Sequence, residues 1–127
     1  MNFERVVFAF FVLLALTLNF GFFYGDPSDT GHHNRYELWA ALVVSVLTTV
    51  LKIGDKSWQG SMLLAASLVA DVQLIAAALV WLLATPVADG SLPGATMATI
   101  VSLSGGALIA NIVSAMILLI ETVTDRR

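Results

Sequence analysis

The chain has 127 residues, 58% of them hydrophobic and only 12% charged, with a mean hydropathy of +0.88 and a net charge of -3. That balance excludes an ordinary soluble domain, which would leave much of this apolar surface in water, and the small negative charge without a polybasic run gives no basis for a nucleic-acid partner. There is no cysteine, and so no disulfide, thiolate metal site or cysteine nucleophile.

The first apolar stretch, residues 6–24, is long enough to cross a hydrocarbon core of about 30 Å at about 1.5 Å of rise per residue. It ends in Asn19-Phe20-Gly21-Phe22-Phe23-Tyr24, bulky and aromatic where a signal peptidase needs small residues, so a retained helix is expected. Asn19, near the far end, is expected to bond across helices. The loop that follows, residues 25–35, is dense in turn formers. It holds Asp26, Asp29, His32 and His33, with Glu37 just beyond, side-chain types that bind divalent metal. They form a weak candidate metal site, the plainer alternative being a solvated loop.

The second stretch, residues 38–53, is short, and only 38–51 is free of charge. It spans a bilayer if Tyr36 anchors one end and Lys52 snorkels at the other. Ala41, Ser45, Thr48, Thr49 and Lys52 lie along one side. Membrane hydroxyls bond readily to their own backbone, so they argue only weakly for a pore; Thr48 is kept as a permeation candidate. The run Leu47-Thr48-Thr49-Val50-Leu51-Lys52-Ile53-Gly54-Asp55 resembles the potassium-channel filter sequence TTVGYGD with its centre altered. The resemblance implies a re-entrant pore helix over 36–47, a filter starting at Thr49 and Val50, and the third stretch as inner helix. The run departs from the filter pattern at Leu51, which replaces the first filter glycine, and at Lys52, which places a cation in a cation path. A degenerate pore-loop cation channel is therefore an alternative to the main expectation.

The third stretch, residues 62–84, carries Asp71 close to its middle. A carboxylate there costs several kcal/mol unless paired, hydrated or protonated, so its face should point into the bundle or a water-filled cavity. Helical spacing puts Ser67 one turn away as a hydrogen-bond partner. Asp71 is expected either to bind a cation or proton, or to join helices as a structural residue. Gln73 lies about 200° around the helix from Asp71, on a side with Ala66, Ala76 and Ala77, and is expected to bond across helices or face a neighbouring subunit.

In the fourth stretch, residues 95–120, Ala98, Ser102, Gly106, Ala110 and Ser114 recur every four residues as a small-residue stripe for close helix packing or an oligomer interface. Asn111 beside it is a further permeation candidate, and Gly105-Gly106 would let the helix bend.

The fold expected is all-α: a single transmembrane domain over 1–127, an antiparallel bundle of four membrane-spanning helices at about 4–24, 36–53, 60–84 and 95–121. With the N-terminus inside, Arg5, Lys52, Lys56, Arg126 and Arg127 lie on the cytoplasmic side and only Arg35 outside, so both termini are expected in the cytoplasm and the chain in the plasma membrane, a bacterial inner membrane. Tyr24, Tyr36, Trp39 and Trp81 then anchor the outer interface and Trp58 the inner. The expected partners are the lipid bilayer, further copies of the chain in a homo-oligomer and a monovalent or divalent cation. No cofactor and no enzymatic activity is expected, since both histidines lie in the outer loop, far from any membrane serine. The function expected is a small ion channel or ion-coupled transporter working through Asp71, with a non-transporting accessory or scaffold protein as the alternative from another class.

Overall fold

A computed structural model of the protein describes residues 3–125. Among these residues the chain is all-helical, with four helices: α1 Phe3–Phe23, α2 Arg35–Lys52, α3 Trp58–Leu83 and α4 Gly94–Asp125, and a single 3-10 turn at Thr30–His32. Arg126 and Arg127, which the charge pattern assigns to the cytoplasmic side, lie outside the described residues.

Each helix begins and ends where local chemistry dictates. The side chain of Asn34 accepts from the Tyr36 N–H at 2.8 Å and starts α2, and Ser57 Oγ accepts from the Gly60 N–H at 3.0 Å and starts α3. The third helix therefore begins before Gly60, because the cap lies upstream of the apolar run. Pro93 stands just ahead of α4, where its missing N–H costs nothing. Gly25 and Gly54 follow α1 and α2 with φ of 113° and 96°, a backbone region open to glycine and strained for other residues.

The three interhelical loops share one device. In Asp26-Pro27-Ser28, Asp55-Lys56-Ser57 and Asp89-Gly90-Ser91, the aspartate Oδ1 accepts from both the backbone N–H and the hydroxyl of the serine two residues on, at 2.6 to 3.0 Å. These bonds hold all three carboxyls below the usual carboxylate range, Asp55 down to about 2.

The helices pack as an antiparallel ring in which α1 lies against α2 and α4, and α3 against α2 and α4. At one end Glu37 of α2 meets Gly21 of α1; at the other, the Lys52 ammonium lies 4.3 Å from the centroid of the Phe8 ring. Thr30 Oγ1 accepts from the Leu92 N–H at 3.0 Å, joining the first and third loops at the first of these ends. The larger apolar core fills that end, with Phe22, Leu38, Leu74, Met97 and Ile100 fully enclosed, and a smaller cluster of Phe8, Val12 and Leu63 fills the other.

Outside, the pattern is inverted relative to a soluble protein. Val72, Leu82, Leu83, Ile109, Leu119 and Ile120 are all more than half exposed, a surface suited to lipid. Helices α1, α3 and α4 through Thr124 are long and apolar enough to cross a membrane; α2, with 18 residues that include Arg35, Glu37 and Lys52, does not meet the same measure. The protein is a helical membrane protein.

Candidate functional site

Polar side chains are buried mainly between and beside the two apolar clusters: Asn19, Ser45, Thr48, Thr49, Ser67, Asp71, Ser104, Asn111 and Ser114. Six of them fall into two hydrogen-bonded groups, Ser45, Thr49 and Asp71 in one and Asn19, Ser104 and Asn111 in the other. The first is centred on Asp71, near the midpoint of α3 and 8% exposed. Ser45 Oγ donates to its Oδ1 at 2.6 Å and Thr49 Oγ1 approaches its Oδ2 at 2.6 Å, so both carboxyl oxygens are engaged by α2. Ser45 and Thr49 stand one helical turn apart, the spacing that lets a single carboxyl span them. Thr49 Oγ1 also lies 3.0 Å from the Ser45 carbonyl oxygen.

The partner expected from spacing, Ser67, is buried on α3, yet the hydroxyls that hold Asp71 come from the neighbouring helix. Thr48 is buried too, but its hydroxyl turns back to the Val44 carbonyl at 2.8 Å and takes no part in the cluster. This geometry also decides the filter resemblance. Backbone from Arg35 to Lys52 is one continuous helix, so Thr49 and Val50 present no row of carbonyls to an ion and no re-entrant loop forms.

The second group joins α1 to α4. With its amide turned so that oxygen faces donors and nitrogen an acceptor, Asn19 donates to the Ser104 carbonyl at 2.9 Å and accepts from the Asn111 side chain and the Leu108 N–H, both at 3.0 Å. Ser104 and Leu108 are one turn apart, so the Asn19 amide bridges the turn of α4 that contains Gly105 and Gly106. Asn111, a permeation candidate by sequence, is thus tied to α1 and stands apart from the Asp71 cluster. Ser104 went unmarked in the sequence; its carbonyl rather than its side chain meets Asn19, and no residue-type signal reveals that.

The small-residue stripe of α4 does not form one face. Steps of four residues advance about 40° around a helix, so the stripe winds away from its starting side. Ala110 and Ser114 are buried, Ala98 and Gly106 are half-buried, and Ser102 is exposed. Gln73 belongs to the same contact, since a Cβ built on Gly106 would fall 2.9 Å from Gln73 Cδ. Gln73 therefore packs on α4 of its own chain. Ser114 Oγ is buried with no hydrogen-bond partner.

The metal-type residues of the first loop do not converge on a metal. His33 is buried, with Nδ1 2.6 Å from the Phe22 carbonyl and Nε2 2.8 Å from the Asp26 carbonyl, so both ring nitrogens are committed to the backbone. His32 Nδ1 accepts from the Asp26 N–H at 2.9 Å, Asp26 Oδ1 is held by Ser28, and Asp29 caps the 3-10 turn through the Gly31 N–H. Among the described residues no three His, Cys, Asp or Glu side chains gather in a metal-holding group. Of the aromatic anchors, Tyr24, Tyr36 and Trp58 are well exposed, whereas Trp81 is half-buried with its ring 6.1 Å from that of Phe22.

At the Lys52 end a cavity opens between α1, α2 and α4, lined by Phe8, Leu13, Lys52, Asp55, Leu118 and Glu121. Lys52 pairs with Asp55 at 3.1 Å there. The model of a family of unknown function, DUF6394, matches residues 32–122. No curated protein and no solved structure matches the chain.

Proposed function

The chain belongs to DUF6394, a family of unknown function, and from that premise we propose that it is a small ion-handling membrane protein in which Asp71 is the working group. One observation carries the reading: a carboxyl buried near the middle of a long apolar helix, with both oxygens facing hydroxyls of the next helix. Ionisable groups at that depth are costly to keep and serve ion or proton movement by default. All four helices cross the bilayer in this reading, α2 with the help of its charged flanks, and both termini lie on the cytoplasmic side of a plasma membrane, a bacterial inner membrane. Beyond the cavity at the Lys52 end the bundle is filled by its own side chains, so a conducting route runs between copies in a homo-oligomer or opens only when the Asp71 cluster rearranges.

Flux of monovalent and divalent cations into liposomes, wild type against Asp71→Asn, tests the proposal. Flux above protein-free vesicles that falls to their level in the variant is the expected result; equal flux from both proteins removes Asp71 from the mechanism.

A second reading has its own support. The Asp71 bonds clasp α2 to α3, and the Asn19 bonds clasp α1 to α4, an arrangement that suits a non-transporting scaffold equally well. That reading expects no flux of any ion and an altered assembly in detergent for Asp71→Leu.

A further inference from the structure

The Asp71 cluster has more short oxygen contacts than hydroxyl protons to fill them. There are three contacts: Ser45 Oγ to Asp71 Oδ1 at 2.6 Å, Thr49 Oγ1 to Asp71 Oδ2 at 2.6 Å, and Thr49 Oγ1 to the Ser45 carbonyl oxygen at 3.0 Å. Each hydroxyl carries one proton, and neither the carbonyl nor an ionised carboxylate carries any. With Asp71 ionised, Thr49 serves Oδ2 or the Ser45 carbonyl, and the other contact sets two oxygen lone pairs against each other. With a proton on Oδ2 all three contacts are filled. Asp71 then donates to Thr49, Thr49 donates to the Ser45 carbonyl, and Ser45 donates to Oδ1, each within the usual O–H···O range of about 2.5 to 3.0 Å.

The surroundings agree. Among the described residues, the Lys and Arg positions of the helices packed around the carboxyl lie toward helix ends, Arg35 at the start of α2, Lys52 at its end and Arg5 at the start of α1. The Lys52 ammonium of α2 is held by Asp55 and the Phe8 ring. Between Trp58 and Leu83, α3 has no other ionisable side chain. The charged residues of α1, Glu4 and Arg5, and Glu121 of α4 sit near the opposite ends of those helices from the larger core, beside the cavity at the Lys52 end. A metal ion is a poorer occupant, because it needs several oxygen ligands, and both hydroxyl protons would have to turn away from the carboxyl to admit it.

Resting on the reading of Asp71 as the working group, we infer that its ligand is the proton. A proton taken from water adds to Oδ2 to give the neutral acid, and its release to water restores the carboxylate; Thr49 passes the hydrogen bond on to its own backbone in the first state and turns to Oδ2 in the second.

Infrared spectroscopy of the full chain in lipid vesicles near neutral pH, wild type against Asp71→Asn, reads the proton directly. A carboxylic-acid carbonyl band that the variant lacks, and that Thr49→Val shifts, supports the inference. A carboxylate band at Asp71 in its place overturns it. Flux separates this inference from the reading beneath it. Acid influx reported by an entrapped dye, unchanged when sodium and potassium are replaced by choline and abolished by Asp71→Asn, supports both. Flux that requires sodium or potassium, with Asp71 ionised, overturns the proton site and leaves Asp71 as the working group. An acid band with no flux of any ion supports the proton site and overturns the transport reading.

Discussion

Gln73 of α3 and Gly106 of α4 are in direct contact, so close that a Cβ on Gly106 would fall 2.9 Å from Gln73 Cδ. Glycine at this position lets the most extensively packed helix pair approach side chain to backbone. Gly106→Ala is expected to push the flexible end of Gln73 aside at a cost of about 1 kcal/mol or less, and Gln73→Ala in the same chain to recover that loss. Unfolding of both variants in mixed micelles checks the pair, and equal loss in single and double variants would place the effect elsewhere.

Asn19 bridges Ser104, Leu108 and Asn111, and its replacement should not cost all three bonds equally. The Ser104 carbonyl and the Leu108 N–H are one turn apart and can pair with each other, whereas Asn111 is left with a buried amide. Asn19→Leu is therefore expected to destabilise by about 1–3 kcal/mol, and Asn19→Leu with Asn111→Leu to be the milder change. The comparison is again an unfolding midpoint in detergent.

Ser114 is the reverse case. Its hydroxyl is buried without a partner, and a polar group so placed weakens the fold. Ser114→Ala is expected to stabilise by about 1 kcal/mol, seen as a raised unfolding midpoint, with ion flux unchanged.

The loop carboxyls set the acid limit. Asp55 is held down to about 2 by the Ser57 hydroxyl, the Ser57 N–H and Lys52, against an ordinary value of 3.8. A folded-state value below the unfolded one means that the bonds contribute above pH 3.8 and are lost as pH falls toward 2. Stability should decline over that window, with Asp26 and Asp89 acting in the same direction, and Ser57→Ala should flatten the decline. Thermal unfolding across the acid range measures it.

Most of the helical layout was legible in the sequence because the cost of unpaired backbone in hydrocarbon forces long apolar runs into helices. The observed Trp58–Leu83 and Gly94–Asp125 differ from the expected 60–84 and 95–121 by one to four residues at each end. Asp71 stood out for the same reason, a charge inside an apolar run. Its partners did not, since Ser45 and Thr49 meet it only through the register of α2 on α3, which no single helix encodes. Ser67 was the natural partner along the chain, and the neighbouring helix lies nearer. Likewise Asn19 and Asn111 were each visible, but their pairing depends on how α1 lies on α4. His33 misled because its residue type signals metal while the loop path turns both nitrogens onto carbonyls. The Asp-x-Ser turns were readable, as three repeats of one short pattern, and went unread because turn formers in loops are unremarkable singly.

The unequal lengths of α2 and α4 have a consequence for the surrounding lipid. At about 1.5 Å per residue, the 18 residues of α2 reach about 27 Å and the 32 of α4 about 48 Å. In the proposed four-span arrangement, a bilayer crossed by both would be pinched beside the short helix and relaxed beside the long one, at a cost of fractions of a kcal/mol for each ångström of misfit. Acyl chains would therefore be compressed along one flank only, and any second protein with a similarly squat flank would settle there, because one shared dimple strains the lipid less than two.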